Sequence, residues 1–303
     1  MRPDMANEAL RGSIVPMITP FTASGEVDDG ALRDLIDRAI EAGSHGISVT
    51  GTTGEPSALT LEEREHVMEV AKKTVDGRVP FVPGTGTNNL DETVRLTRAA
   101  EALGADAALV IVPYYSKPSQ EGLYRYFTAV ADATALSILI YNIPGRTAVN
   151  MAPATMARLR RDRPQIVGVK ESNADFEHVS KVLYECGRDF LVFSGIELLC
   201  YPMLAIGGAG HVSATANVLP AEVARLYDLV VAGKWEDALD LHYELLPLNE
   251  ALFLETNPGP LKWVLGRLGI APPHLRPPLA EPGPETQRRL DEVLERHGLG
   301  GGS

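Results

Sequence analysis

The chain has 303 residues, 45% hydrophobic and 22% charged, which suits a globular protein able to bury its own core without disulfides or metal. Its 28 Lys and Arg against 40 Asp and Glu leave a formal net charge of −12, which argues against general affinity for nucleic acid or an anionic membrane. Cys186 and Cys200 are too few for a disulfide framework or a cysteine zinc site.

Residues 1–13 (MRPDMANEALRGS) lack the apolar stretch of a signal peptide, and no apolar run approaches the ~18 residues that span a bilayer. A cytoplasmic protein is the expectation. Short β-branched runs then recur: IVPMIT from Ile14, GISVT from Gly46, VPFVP from Val79, AALVIV from Ala107, LSILIY from Leu136, IVGVK from Ile166, FLVFS from Phe190 and GHVSA from Gly210. Amphipathic helices fill the intervals. Residues 29–42 place Leu32, Leu35, Ile36 and Ala39 on one face, and 61–74 follow a capping-box pair, Thr60 and Glu63. Eight such units, spaced by roughly 20 to 33 residues, predict an α/β fold, a (β/α)8 TIM barrel, with a doubly wound sheet as runner-up. After Pro220 the pattern is helical only, over 221–231, 235–253, 260–268 and 285–297. The expected organisation is a catalytic barrel over 1–232, a C-terminal helical extension over 233–298 and a flexible tail, LGGGS, over 299–303.

On a barrel of this kind the chemistry sits where the strands end. Lys170 closes IVGVK. Alternation groups it with Ile166 and Gly168 on one face, leaving Val167 and Val169 for the outer helices, so it should point to the barrel axis with Gly168 leaving room beneath it. A lysine drawn into a partly apolar mouth loses hydration, which disfavours its charged form and suits carbonyl addition. From Lys170 alone, a side chain reaching back to water or ion-paired with Glu171 is an equal alternative. Tyr141 closes the neighbouring strand at a level where a phenol can move protons for an imine, and Thr52 and Tyr115 offer further hydroxyls at two other strand ends. Each tyrosine taken singly reads equally as an amphipathic rim residue. The GTTGE loop at 51–55 allows a nest of backbone amides for an anion, and Arg146 suits a bidentate carboxylate; a plain turn and a surface arginine are the bland alternatives. The seven histidines are scattered with no HxH or HExxH pair, no GxSxG elbow occurs, and Gly84-Thr85-Gly86 lacks the third glycine of a dinucleotide loop. Neither a metal nor an organic cofactor is called for.

The ordered set GTTGE at 51–55, PYY at 113–115, YNIPGRT at 141–147, GVKES at 168–172 and GGAGHVSATAN at 207–217 resembles the dihydrodipicolinate synthase and N-acetylneuraminate lyase superfamily of class I aldolases. The resemblance runs from Gly12 to about Leu268 and is closest to the synthase branch, since a lyase would usually read GSTGE and lack Arg146. It implies condensation of pyruvate with aspartate semialdehyde. It also implies Lys170 as the Schiff-base lysine, Tyr141 as the proton-transferring tyrosine, and Thr52 and Tyr115 as relay partners, with Tyr115 reaching in from a neighbouring subunit of a homo-oligomer, tetramer or dimer. Thr53 matches the pyruvate carboxylate site, Arg146 the grip on the aldehyde's carboxylate, and Gly195 and Val212 the backbone lining of the pocket. Ile196 departs from the acidic residue usual after Ser194-Gly195, with Glu197 next in line. Leu61 stands where lysine-inhibited members often carry histidine, while Asn88, Glu92 and Tyr114 match parts of their allosteric pocket. The rival readings are a relative using another aldehyde or 2-keto acid, a metal-dependent aldolase, and a non-catalytic pyruvate-binding barrel.

Overall fold

Seven parallel strands form one curled sheet in the computed structural model, which describes residues 10–300. They are β1 (Gly12–Pro16), β2 (Gly46–Ser48), β3 (Ala107–Ile111), β4 (Ser137–Asn142), β5 (Ile166–Glu171), β6 (Leu191–Ser194) and β7 (Gly210–Val212). Their order is β2-β1-β7-β6-β5-β4-β3, so every pair but β1–β7 joins chain neighbours. Helices alternate with the strands, as the apolar periodicity requires. Asp29–Glu41 buries Leu32, Leu35, Ile36 and Ala39, and Leu61–Val75 starts at a formed Thr60/Glu63 capping box.

The candidate strand at Val79 departs from expectation. It makes only isolated bridges, Phe81 to Ile47 and Gly84 to Leu109. Pro80 and Pro83 have no N–H to donate, which interrupts a ladder. The segment still bonds both edges of the sheet. Ile47 N donates to Pro80 O at 2.9 Å on the β2 side, and Leu109 N donates to Pro83 O at 2.9 Å on the β3 side. Gly84 permits the close approach, since a Cβ there would stand 2.6 Å from Thr50 O.

Strand alternation divides the apolar residues into two layers. Val15, Ile47, Val110, Ile140, Val169 and Val192 face the helices, while Ile14, Leu109, Leu139, Tyr141, Leu191 and Phe193 pack inside the curl. In β5 the simple alternation is wrong at its start. Ile166 belongs to the outer layer and Val167 to the inner. The ladder jumps from Ile138↔Ile166 to Leu139↔Gly168, so Val167 is an extra, bulged residue that reverses the facing of what precedes it. Gly168 also does something other than make room for Lys170: a Cβ there would collide with Leu191 O of β6.

Beyond β7, helices Pro220–Val231, Trp235–Ala251, Gly259–Arg267 and Pro284–Arg296 follow. This segment is tied to the loop after β2. Lys262 and Glu55 form a fully buried ion pair, and Arg276 donates to Ala58 O at 2.9 Å and to Glu63 Oε1 at 2.7 Å. Leu299, placed in the flexible tail by sequence, donates its amide to Leu294 O at 2.9 Å. The remainder of the tail, 301–303, and the leader reading over residues 1–9 lie outside the described residues. Cys186 and Cys200 are buried and unpaired, and among the described residues no helix is long and apolar enough to cross a membrane.

His211 of β7 is fully buried, and burial pushes its pKa down from 6.5 to about 4 while its Nε2 lies 3.1 Å from Val223 O. The folded chain thus binds fewer protons than the unfolded chain between those values, so stability rises with pH across that window and is lost on acidification. The loss amounts to ~3 kcal/mol when complete. Denaturation curves at pH 4.5 and 7 should show this dependence in the wild type and a flatter one in His211→Gln.

Candidate active site

The β4–β5 ladder sets Tyr141 directly opposite Lys170. Both project inward at the strands' C-terminal ends and both are buried. Lys170 is 6% exposed and its Nζ stands 4.2 Å from the centroid of the Tyr141 ring, a cation–π distance. This disposes of both alternatives for Lys170. Its side chain lies inside the curl against the Tyr141 ring and lines a cavity there, instead of extending out of the strand end. Glu171 turns to the opposite face, where its carboxylate accepts from Asn142 Nδ2 at 2.8 and 3.1 Å and lies 3.3 Å from His178 Nε2. Burial pushes the Glu171 carboxyl above the usual carboxylate range, with His178 and Asn142 partly offsetting that rise.

Room for Lys170 comes from Gly195, just past β6. A Cβ at Gly195 would stand 2.8 Å from Lys170 Cε and would collide with Ser172 Oγ. Gly195, Val212, Thr53 and Lys170 line an inner chamber of about 50 Å³. Tyr141, Thr52, Arg146 and Asn257 line it too, and they also line an outer cavity of about 270 Å³ beside Tyr114 and Arg64. The wall between the two spaces carries the hydroxyl contact, Thr52 Oγ1 to Tyr141 OH, at 3.2 Å. Thr52 begins a short helical turn, Thr52–Gly54, whose first amides have no partner within the turn. Burial pushes the Arg64 guanidinium down to about 10.

Of the sequence-predicted residues, the structure brings together Lys170, Tyr141, Thr52, Thr53, Gly195 and Val212, with Arg146 at the exposed mouth. Tyr115 is not part of that group in its own chain. It is 90% exposed and holds φ 73, a left-handed conformation costly for a bulky residue. Two residues escaped the sequence reading. Asn257 donates through Nδ2 to Thr53 Oγ1 at 3.0 Å and accepts through its backbone O from Arg146 at 3.1 Å, so the C-terminal segment braces both candidate carboxylate contacts. Its only signal in the sequence is a polar residue ahead of Pro258. Glu197, seen only as a neighbour of Ile196, is buried in the inner chamber's wall, accepting from Ser213 Oγ and, at 2.7 Å, from Ala214 N. Burial pushes its carboxyl up, and those two donors and the Lys170 charge pull it partly back. Among the described residues no group of three His, Cys, Asp or Glu side chains is placed to hold a metal ion.

The dihydrodipicolinate synthetase family matches residues 9–297 of the chain. A 4-hydroxy-tetrahydrodipicolinate synthase of Thermus thermophilus is 53% identical over 291 residues, covering 96% of this chain and 97% of that protein. One of Thermodesulfovibrio yellowstonii is 45% identical over 290 residues, covering 96% and 99%. Among solved structures, the dihydrodipicolinate synthase of Aquifex aeolicus superposes with a TM-score of 0.94 at 43% identity, covering 96% of this chain and 99% of that one.

Gly195→Ala tests the packing around the amine. The added methyl must displace Lys170 from its place over Tyr141, and a misplacement of about 1 Å costs on the order of 10²-fold in rate. Reductive labelling of Lys170 by a 2-keto acid should slow by that order while the thermal transition survives. An unchanged labelling rate would mean that Lys170 is not held as described.

Proposed function

The chain belongs to the dihydrodipicolinate synthetase family, and on that premise we propose that the Lys170 chamber condenses pyruvate with aspartate semialdehyde, the reaction of a 4-hydroxy-tetrahydrodipicolinate synthase. That reaction opens diaminopimelate and lysine synthesis. The observation that carries the reading is a buried primary amine set over a tyrosine ring, whose hydroxyl meets a second hydroxyl in the wall between two cavities.

Lys170 Nζ adds to the C2 ketone of pyruvate, and loss of water gives the imine. Removal of a C3 proton gives the enamine, whose C3 attacks the aldehyde carbon. The amino group of the bound semialdehyde then adds to C2 and closes the ring, releasing Lys170 with one water lost overall. Covalent attachment divides a difficult step into easier ones, and positioned acid–base help is worth about 10²–10⁴ in rate. Tyr141 and Thr52 move the protons. Thr53 and the first amides of its turn receive the pyruvate carboxylate, and the exposed guanidinium of Arg146 grips the carboxylate of the aldehyde. The carbonyls of Gly195 and Val212 line the floor.

Tyr115 completes the relay from a neighbouring subunit of a homo-oligomer, dimer or tetramer. Its exposure and its left-handed backbone support a role that its own chain does not explain. The architecture reads as a (β/α)8 barrel closed by the segment at 79–86, with 233–298 as a helical extension. Hydrogen bonds from that segment to both sheet edges support closure. Two unpaired cysteines suit the cytoplasm.

Incubation with pyruvate and borohydride should add a reduced three-carbon adduct to Lys170, read by mass spectrometry, and aspartate semialdehyde should then yield the cyclic product. No adduct, or an adduct with no product from this aldehyde, sinks the assignment. Subunit borrowing has a separate check. Tyr115→Ala and Lys170→Ala should each be nearly inactive alone, and their co-refolded mixture should regain activity, because mixed assemblies contain sites with both groups intact. A mixture as inactive as its parts would keep Tyr115 out of the partner's site.

A further inference from the structure

One residue beyond each member of the Tyr141–Lys170 pair lies a second pair, Asn142↔Glu171, in the same ladder. Alternation turns it to the outer face, away from the chamber. Neither side chain touches the space where the substrates would lie, yet both are more fully buried than the residues that do: Asn142 is 0% and Glu171 1% exposed.

The bonding there is dense. Asn142 Nδ2 donates to both Glu171 oxygens and to Asn150 Oδ1 at 2.8 Å, and its Oδ1 accepts from Met151 N at 3.1 Å. The backbones repeat the linkage, since Ser172 N donates to Asn142 O and Gly195 N to Glu171 O, each at 2.8 Å. One knot therefore fastens the ends of β4 and β5 to each other, to the 150–151 loop and to the glycine that makes room for Lys170. Burying a carboxylate costs several kcal/mol, and apolar residues of similar volume are often as stable in such a place. Stability alone gives no reason for a carboxylate here. Geometry does, because any slip or splay of these two strand ends moves the Tyr141 hydroxyl relative to Lys170 Nζ.

We propose that Asn142 and Glu171 are a positioning pair for the reaction, setting the approach of Tyr141 to the imine on Lys170 from behind the sheet. The inference rests on the imine reading above. In this pair Asn142 is the donor and Glu171 the acceptor; exchanging the roles keeps that bond, with the Asn150 amide turned to donate to position 142 and His178 facing an amide in place of the carboxylate.

The test compares Glu171→Gln, Asn142→Asp and the exchanged double variant Asn142→Asp/Glu171→Gln, which restores one donor and one acceptor with their places reversed. Each single variant should lose roughly 10²-fold in kcat, as expected for a displaced proton-transfer group, with KM for pyruvate unchanged and borohydride still trapping pyruvate on Lys170. The double variant should recover most of the lost kcat. Single variants that melt lower but keep the wild-type kcat would reduce the pair to a structural role, and a folded double variant no faster than the singles would also overturn the proposal. If the singles do not fold, the double variant decides alone: near wild-type kcat supports the pair, and a folded but slow enzyme refutes it. A wild-type protein that forms no adduct would instead remove the imine reading, so the two failures are distinct.

Discussion

The pairing of β4 with β5 is the contact on which the geometry of the candidate site depends. A parallel ladder fixes which residues stand opposite one another, and here it places a phenol against an amine at the point where both strands open into a cavity. The bulge at Val167 matters for the same reason. It absorbs an extra residue low in β5, so that Lys170 and Tyr141 face inward together at the top. Without it, the facing read from Ile166 upward would put Lys170 on the helix side.

Around that ladder, carboxylates are buried where the strands end, each held in its own way. Glu55 is paired with Lys262, Glu171 is bonded by Asn142 beside His178, and Glu197 accepts from Ser213 and Ala214. Groups of this kind are costly when left alone and rigid when satisfied. Of the three, only Glu197 lines the chamber of the amine; Glu171 lies behind it on the outer face and Glu55 beside the outer cavity. The C-terminal segment thus contributes to the site through Asn257, in the turn before Gly259–Arg267, and through Lys262 of that helix, although it supplies no strand.

Much of this was legible from the amino acids. The strand-end motifs carried Lys170, Tyr141, Thr52, Thr53 and Arg146, because a barrel concentrates polar groups where apolar runs stop. Helix positions followed from periodicity and caps, as at Thr60/Glu63. The misreadings have common causes. Val79 looked like a strand because its residues are β-branched and aromatic, while Pro80 and Pro83 deny it a regular ladder. Gly168 and Gly195 look alike in sequence, and only their neighbours show that one admits a strand and the other a lysine.

By itself the sequence determined the alternating α/β order, the family resemblance and which polar side chains close the strands. These are properties of side-chain chemistry and of local period, which need no distant partner. Only the tertiary structure decided that Glu171 turns away from Lys170, that Asn257 reaches back across the chain to Thr53, and that Gly195 rather than Gly168 makes room for Lys170. Those outcomes depend on strand register, on a bulge and on contacts between residues as far apart as 204 positions, and such contacts leave no period in the chain to be read.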